Sequence, residues 1–117
     1  MNKRVVVVGA IRTPIGAIGS GLATLQAEGL ATHAIEALLA ATGIDPSAVE
    51  YTCMGWVMQD PGCPNLGKTA AELAGIPGTT PGTTFHENCA SGGAAIHSLA
   101  RRILLDEVGL GIAGGVE

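Results

Sequence analysis

The sequence predicts an α/β fold: a mostly parallel sheet covered by helices. Residues 4–10, "RVVVVGA", form a continuous β-branched run, which is typical of a strand buried on both faces. Short apolar runs then alternate with segments of helical spacing along the 117 residues. An aromatic content of 3% beside 18 glycines indicates an aliphatic, closely packed core. Together these features predict the order βαβαβαβ, with right-handed crossovers between parallel strands, in one domain of residues 1–117.

Three segments have helical spacing. The first places Leu30, Ala34, Ile35, Leu38 and Leu39 on one apolar stripe. Gly43 follows where a C-terminal cap belongs. The second is "LGKTAAELAG" at residues 66–75, which Gly75 and Pro77 end. The third runs from about Cys89 to Asp106, with an apolar side formed by Ile96, Leu99, Ile103 and Leu104.

Three further strands are predicted after the first. They are "YTCMGWVM" at residues 51–58, a short strand around Thr83 to Glu87, and the apolar run in "GLGIAGGVE" at residues 109–117. Pro14 excludes a helix directly after the first strand.

Composition and charge exclude several classes of function. A net charge of −4 at pH 7 would not attract nucleic acid or an anionic membrane, so neither is expected as a partner. No apolar run reaches the length of a membrane span, and the four valines are too short for a signal peptide. The three cysteines, at positions 53, 63 and 89, match neither a disulfide framework nor a zinc site. We therefore expect a reducing, cytoplasmic setting and no metal.

Several candidate motifs have simpler structural interpretations. "VVVVGAIRTPIGAIGSG" suggests a dinucleotide-binding turn, but it lacks G-x-G-x-x-G, and Pro14 stands where the helix should begin. His33, His86 and His97 are not at metal-ligand spacing and are interpreted as ordinary polar residues. Arg12 is interpreted by default as a partner in a structural salt bridge.

Arg101 and Arg102 are interpreted as a solvated helix turn favoured by the C-terminal dipole. Cys53, in an apparent strand, and Cys63, in a Pro/Gly-rich loop, are interpreted as structural residues.

Cys89 is the candidate catalytic residue. In "FHENCASGGAAI" it follows a short strand and precedes small residues that let another backbone or a ligand approach closely. Free N–H groups at a helix start favour a thiolate or an adjacent oxyanion. The dipole contributes about 1 kcal/mol, which leaves most of an ordinary thiol protonated at neutral pH, and Glu87 opposes ionisation. A nucleophilic Cys89 therefore needs a base from elsewhere, and spacing alone leaves both a nucleophile and a buried core residue open.

The motifs together resemble the thiolase family. "VVVVGAIRTPIG", "MGWVMQ" followed by "PNLGKTAA", "NCASGGAAI" and the closing "AGGVE" stand in the family's order and at about its spacings. The resemblance covers essentially the whole chain but only about the first third of a typical member. Two residues depart from the family pattern: Glu87 where a basic residue is usual, and Cys63 where glutamine is common.

The resemblance implies a thiolase-like fold that is incomplete relative to the family's duplicated βαβαβαββ unit. It implies an acyl-CoA acyltransferase in which Cys89 accepts the acyl group and its backbone N–H serves an oxyanion hole. Claisen condensation or thiolysis of a 3-ketoacyl-CoA follows. Coenzyme A thioester is then the substrate, and no further cofactor is implied. A homo-oligomer or a complementary subunit is the implied partner, near residues 85–88.

The resemblance also implies missing parts. The family's activating histidine, in Gly-His-Pro, and its second cysteine, in Cys-x-Gly, belong to the later half, and no histidine here precedes proline. We therefore interpret the chain as the N-terminal part of a thiolase N-terminal domain and expect little turnover from it alone. The alternative is a non-catalytic scaffold or partner subunit in which Cys89 is structural.

Overall fold

A computed structural model describes residues 3–117, so Met1 and Asn2 of the predicted domain lie outside the described residues. Three strands form one parallel sheet in the order β2-β1-β3. The elements in chain order are α1 (Ala27–Thr42), a 3₁₀ turn (Pro46–Ala48), β1 (Tyr51–Gly55), α2 (Leu66–Leu73), β2 (Gly82–Phe85), α3 (Ser91–Leu104) and β3 (Gly111–Gly115). The predicted α/β class and parallel sheet are confirmed.

The central strand β1 carries the core. Four of its five residues are buried, and Cys53 pairs with Thr83 on one side and Ala113 on the other. The buried Thr52 hydroxyl donates to the Gly67 carbonyl in α2 at 2.8 Å, which satisfies a polar group inside the core. The larger hydrophobic cluster packs α1 and α2 together with β1, and the smaller one packs α3 on the sheet.

The predicted first strand is wrong. Residues 3–26 form no strand, and Val6, Val7 and Val8 are 70%, 82% and 65% exposed. A β-branched run becomes a strand only where its N–H and C=O groups find a partner edge. No strand of the described sheet pairs with this run. A groove of about 700 Å³ instead separates residues 11–25 from β3.

The three predicted helices are present, with shifted bounds and faces. Helix α1 ends as predicted at Gly43, which has a φ of 68° and donates its N–H to the Leu39 carbonyl at 2.9 Å. The buried face of α3 is formed by Ala95 and Leu99 rather than by Ile96 and Leu104, which are 51% and 48% exposed. Neighbouring helical residues point about 100° apart, so turning Ala95 to the sheet moves Ile96 away from it.

Among residues 3–117, no helix combines the length and the apolarity that crossing a bilayer requires.

Candidate active site

Cys89 lies in the turn that joins β2 to α3, two residues before the helix begins at Ser91. Cys89 is exposed in the described chain, so its thiol does not pack in the core there. The sequence placed the helix start at about Cys89. The observed start at Ser91 leaves the cysteine just outside the first turn, where helix N–H groups are unpaired.

Residue Ser91 closes the turn that carries Cys89. Its hydroxyl donates to the Asn88 carbonyl at 2.6 Å and accepts from the Glu87 N–H at 2.9 Å. Two backbone hydrogen bonds hold the same turn. The Ala90 N–H donates to the Glu87 carbonyl and the Ser91 N–H donates to the Asn88 carbonyl, each at 3.1 Å. Asn88 adopts a left-handed φ of 51°, which asparagine tolerates better than most residues. Within residues 3–117 the Cys89 N–H makes no hydrogen bond, so it is free to meet an oxyanion.

Three glycines bring the amino end of α3 against the sheet. A Cβ on Gly55 would lie 2.3 Å from the Ser91 carbonyl carbon, and a Cβ on Gly115 would lie 3.2 Å from the Gly92 Cα. The predicted close approach of another backbone to the small residues after Cys89 is therefore confirmed. The Cys89 turn lies at the carboxyl ends of the parallel strands, the edge at which α/β sheets bind ligands.

Glu117 ties the end of β3 to the loop after β1. Its carboxylate accepts from the Val57 N–H at 3.1 Å and the Met58 N–H at 2.7 Å. Val116 donates its N–H to the Gly55 carbonyl at 3.0 Å. These bonds fix the residues that follow β3 to the carboxyl end of β1 and to the loop after it.

Asn65, in the "PNLG" motif, fixes the start of α2 to the strand that leads to Cys89. Its side-chain oxygen accepts from the Lys68 N–H at 3.3 Å and the Thr84 hydroxyl at 2.9 Å. Its side-chain nitrogen donates to the Gly82 carbonyl at 2.9 Å. The motif thus has a structural role next to β2.

The two other cysteines are structural, as predicted. Cys53 and Cys63 are 0% and 7% exposed. Cys53 stands in a Cys-x-Gly sequence, Cys53-Met54-Gly55, and its place inside β1 removes it from solvent. Burial raises the pKa of the Cys53 thiol, and the charge of Arg102 and a hydrogen bond with Ser98 reduce that effect.

The arginines differ from their predicted roles. Within residues 3–117 Arg12 forms no salt bridge, and its side chain is exposed. Arg102 is not simply solvated, because its guanidinium lies 4.2 Å from the centroid of the Tyr51 ring and 2.7 Å from the Glu107 carboxylate. The packing of α3 beside β1 brings these partners together.

The histidines lie apart from one another in the fold. His33 and His97 are on α1 and α3 as predicted, whereas His86 follows β2 rather than belonging to it. All three are exposed. In the described part of the chain, no three His, Cys, Asp or Glu side chains converge as metal ligands would.

A comparison with protein families identifies the family of this chain. The family described as "Thiolase, N-terminal domain" matches residues 5–117. The chain belongs to the thiolase family. Its parallel sheet and helices match thiolase structures and cover the N-terminal part of that fold.

Curated thiolases resemble the chain along nearly its whole length. The acetyl-CoA acetyltransferase of Chromobacterium violaceum is 41% identical over 113 residues, which are 97% of this chain and 29% of that protein. The beta-ketoadipyl-CoA thiolase of Pseudomonas aeruginosa is 39% identical over 119 residues, covering 100% of this chain and 30% of that protein. The chain therefore spans less than a third of the length of these relatives.

Solved thiolase structures superpose closely on the described fold. The Bacillus anthracis acetyl-CoA acetyltransferase gives a TM-score of 0.87 at 34% identity, with 94% of this chain and 28% of that chain covered. The human mitochondrial 3-ketoacyl-CoA thiolase in complex with CoA gives 0.83 at 33% identity, with 86% and 26% covered.

Proposed function

We propose that this chain carries the acyl-accepting half of a thiolase active site, with Cys89 as the nucleophile. The observation that carries the proposal is an exposed thiol in the turn before α3, in a chain of the thiolase family. Relatives named as acetyl-CoA acetyltransferase and beta-ketoadipyl-CoA thiolase favour an acyl-CoA substrate. The exposure of Cys89 counts against the alternative scaffold in which this thiol is packed.

In the first step the Cys89 thiolate attacks the thioester carbonyl of an acyl-CoA. The carbon–sulfur bond to CoA breaks, the CoA thiolate leaves, and the acyl group stays on the cysteine sulfur. The Cys89 N–H, which has no acceptor in residues 3–117, is available to the oxyanion that forms on the carbonyl oxygen.

In the second step the carbanion of another acyl-CoA attacks the acyl-cysteine. A carbon–carbon bond forms, and Cys89 leaves as a thiolate; thiolysis is the reverse. Both directions need a base for Cys89 and an acid/base for the second acyl group. We assign these groups to residues outside this chain, because Cys53 is buried within β1 and no histidine of the chain precedes proline.

The experiment is acylation by acetyl-CoA of the chain in an assembly with a thiolase polypeptide that supplies the base, followed by acid quench and peptide mass spectrometry. We expect acetyl transfer to Cys89, none to Cys53 or Cys63, and none in a Cys89→Ser variant. We also expect little turnover from the 117-residue chain alone. An acetylated Cys53 with an unmodified Cys89 would overturn the assignment.

The proposal extends to a partner and a setting. A second copy or a complementary subunit would lie near residues 85–88, next to β2, whose outer edge pairs with no strand among the described residues. Native mass spectrometry of the chain tests this, and a monomer at micromolar concentration would contradict it. Three free cysteines favour the reducing conditions of the cytoplasm.

A further inference from the structure

We propose that Ser91 is a positioning residue that holds the Cys89 turn in its reactive conformation. The inference deepens the proposed function and rests on it, because it concerns how the same turn presents its thiol and its N–H. Ser91 is not a catalytic residue, since its hydroxyl bonds to the turn itself and has no donor left for a substrate.

The Ser91 hydroxyl joins both residues that precede Cys89. It accepts the Glu87 N–H at 2.9 Å and donates to the Asn88 carbonyl at 2.6 Å. A side chain that bonds back to the turn before its own helix competes with other turn conformations and selects one of them. The turn around Cys89 is therefore closed by a side chain as well as by two backbone bonds.

Burial makes these two hydrogen bonds important. Ser91 is 4% exposed, and its backbone is in contact with Gly55, where an added Cβ would overlap it. Without the hydroxyl, the Glu87 N–H would lose the side-chain acceptor that ties it to the start of α3. Asn88 would also lose one of the two bonds that hold its left-handed φ of 51°.

The consequence concerns Cys89, which lies between the bonded residues and the helix. With the turn closed, the thiol and the free N–H of Cys89 keep one orientation at the amino end of α3. With the turn open, both groups sample other orientations. The hydroxyl of Ser91 thereby acts on the reaction through the position of Cys89.

The test measures hydrogen exchange of the Glu87 amide and the rate at which iodoacetamide alkylates Cys89, with each cysteine followed by peptide mass spectrometry. For Ser91→Ala we expect the Glu87 amide to exchange about fivefold faster, equivalent to about 1 kcal/mol, together with a changed alkylation rate of Cys89. Ser47→Ala is the matched control, because it removes a serine hydroxyl that closes a turn before β1, by donating to the Asp45 carboxylate at 2.6 Å. Ser91→Thr, which keeps the hydroxyl, should restore both wild-type rates.

Protection of Cys53 and Cys63 from alkylation shows that each variant is folded, because both are buried. A folded Ser91→Ala variant with both wild-type rates would overturn the proposal. If this variant unfolds, hydrogen exchange of the wild-type chain decides: we expect the Glu87 N–H to exchange at least about tenfold more slowly than a free amide. Exchange at the free rate would refute the hydrogen bond. Normal alkylation without acetyl transfer from acetyl-CoA would count against the proposed function and leave the role of Ser91 standing.

Discussion

Substituting Gly55 by alanine should move the amino end of α3 and the Cys89 turn with it. The new Cβ would lie 2.3 Å from the Ser91 carbonyl carbon and 2.5 Å from the Gly92 nitrogen, both backbone atoms that no rotamer change can withdraw. To reach an ordinary contact of 3.4 Å, the helix must retreat by about 1 Å. Overpacking of this kind costs about 1–3 kcal/mol, and the smaller entropy of the unfolded alanine chain returns up to about 1 kcal/mol. We therefore expect the free energy of unfolding to fall by about 1–2 kcal/mol.

The assay combines urea denaturation with the rate at which iodoacetamide modifies Cys89. Gly111→Ala is the matched control, because it overpacks α3 against the sheet at the end far from Cys89. Its Cβ would lie 2.5 Å from the Leu99 side chain and 2.7 Å from the Tyr51 carbonyl oxygen. Both variants should be less stable than the wild type, but only Gly55→Ala should change the alkylation rate of the folded protein. Wild-type stability together with an unchanged Cys89 rate in Gly55→Ala would refute the close contact of α3 with β1.

Three further predictions follow from burial and backbone geometry. Val7→Asp should change the free energy of unfolding by less than about 0.5 kcal/mol in urea denaturation, because Val7 is 82% exposed; a loss above about 2 kcal/mol would show that it is buried. Gly93→Ala should raise the same quantity by about 0.5–1 kcal/mol, since its Cβ would meet nothing within 4 Å and alanine favours a helix; a loss of stability would contradict the open space. Burial raises the pKa of the Cys53 thiol, so the folded state holds that proton more tightly than the unfolded chain does. Stability should therefore fall as pH rises above about 8.5, and Cys53→Ala should show less of this fall, whereas identical pH profiles would exclude the effect.

The helices and the parallel sheet could be predicted because their signals are local. Gly43 predicts a left-handed cap from its own lack of a Cβ, and the cap is observed. β1 was predicted from a short apolar run, and the core forms around it. The bounds were less accurate, since the predicted strand at residues 51–58 ends at Gly55, where the loop held by Glu117 begins.

The first strand could not be judged from its composition. Four valines in succession favour an extended, buried backbone, but burial depends on a partner edge that is a property of the whole fold. In the described structure residues 4–10 pair with neither of the open edges of the sheet, those of β2 and β3. The apolar side of α3 also depends on the whole fold. Ala95 lies against the sheet because a small residue permits close contact there, while the larger Ile96 is exposed.

The sequence singles out Cys89 as a candidate but not the residues that surround it. Cys89 could be singled out from its place between a strand and a run of small residues. Ser91 and Glu117 were missed, because their roles depend on hydrogen bonds to backbone groups that only the folded turn and loop bring into reach. A serine two residues after the cysteine, with Asn88 before it, was the available signal, since both residue types favour side-chain-closed turns.

The central claim is that Cys89 alone among the three thiols is presented for acyl transfer. Its most direct test exposes the folded chain to acetyl-CoA together with a thiolase polypeptide that carries the Gly-His-Pro and Cys-x-Gly segments. The reaction is quenched with acid, and the mass of the peptide that spans residues 85–96 is measured. We predict an acetyl group on Cys89 that Cys89→Ser abolishes, with Cys53 and Cys63 unmodified. A folded wild-type chain whose Cys89 stays unacetylated in the presence of that polypeptide would contradict the claim.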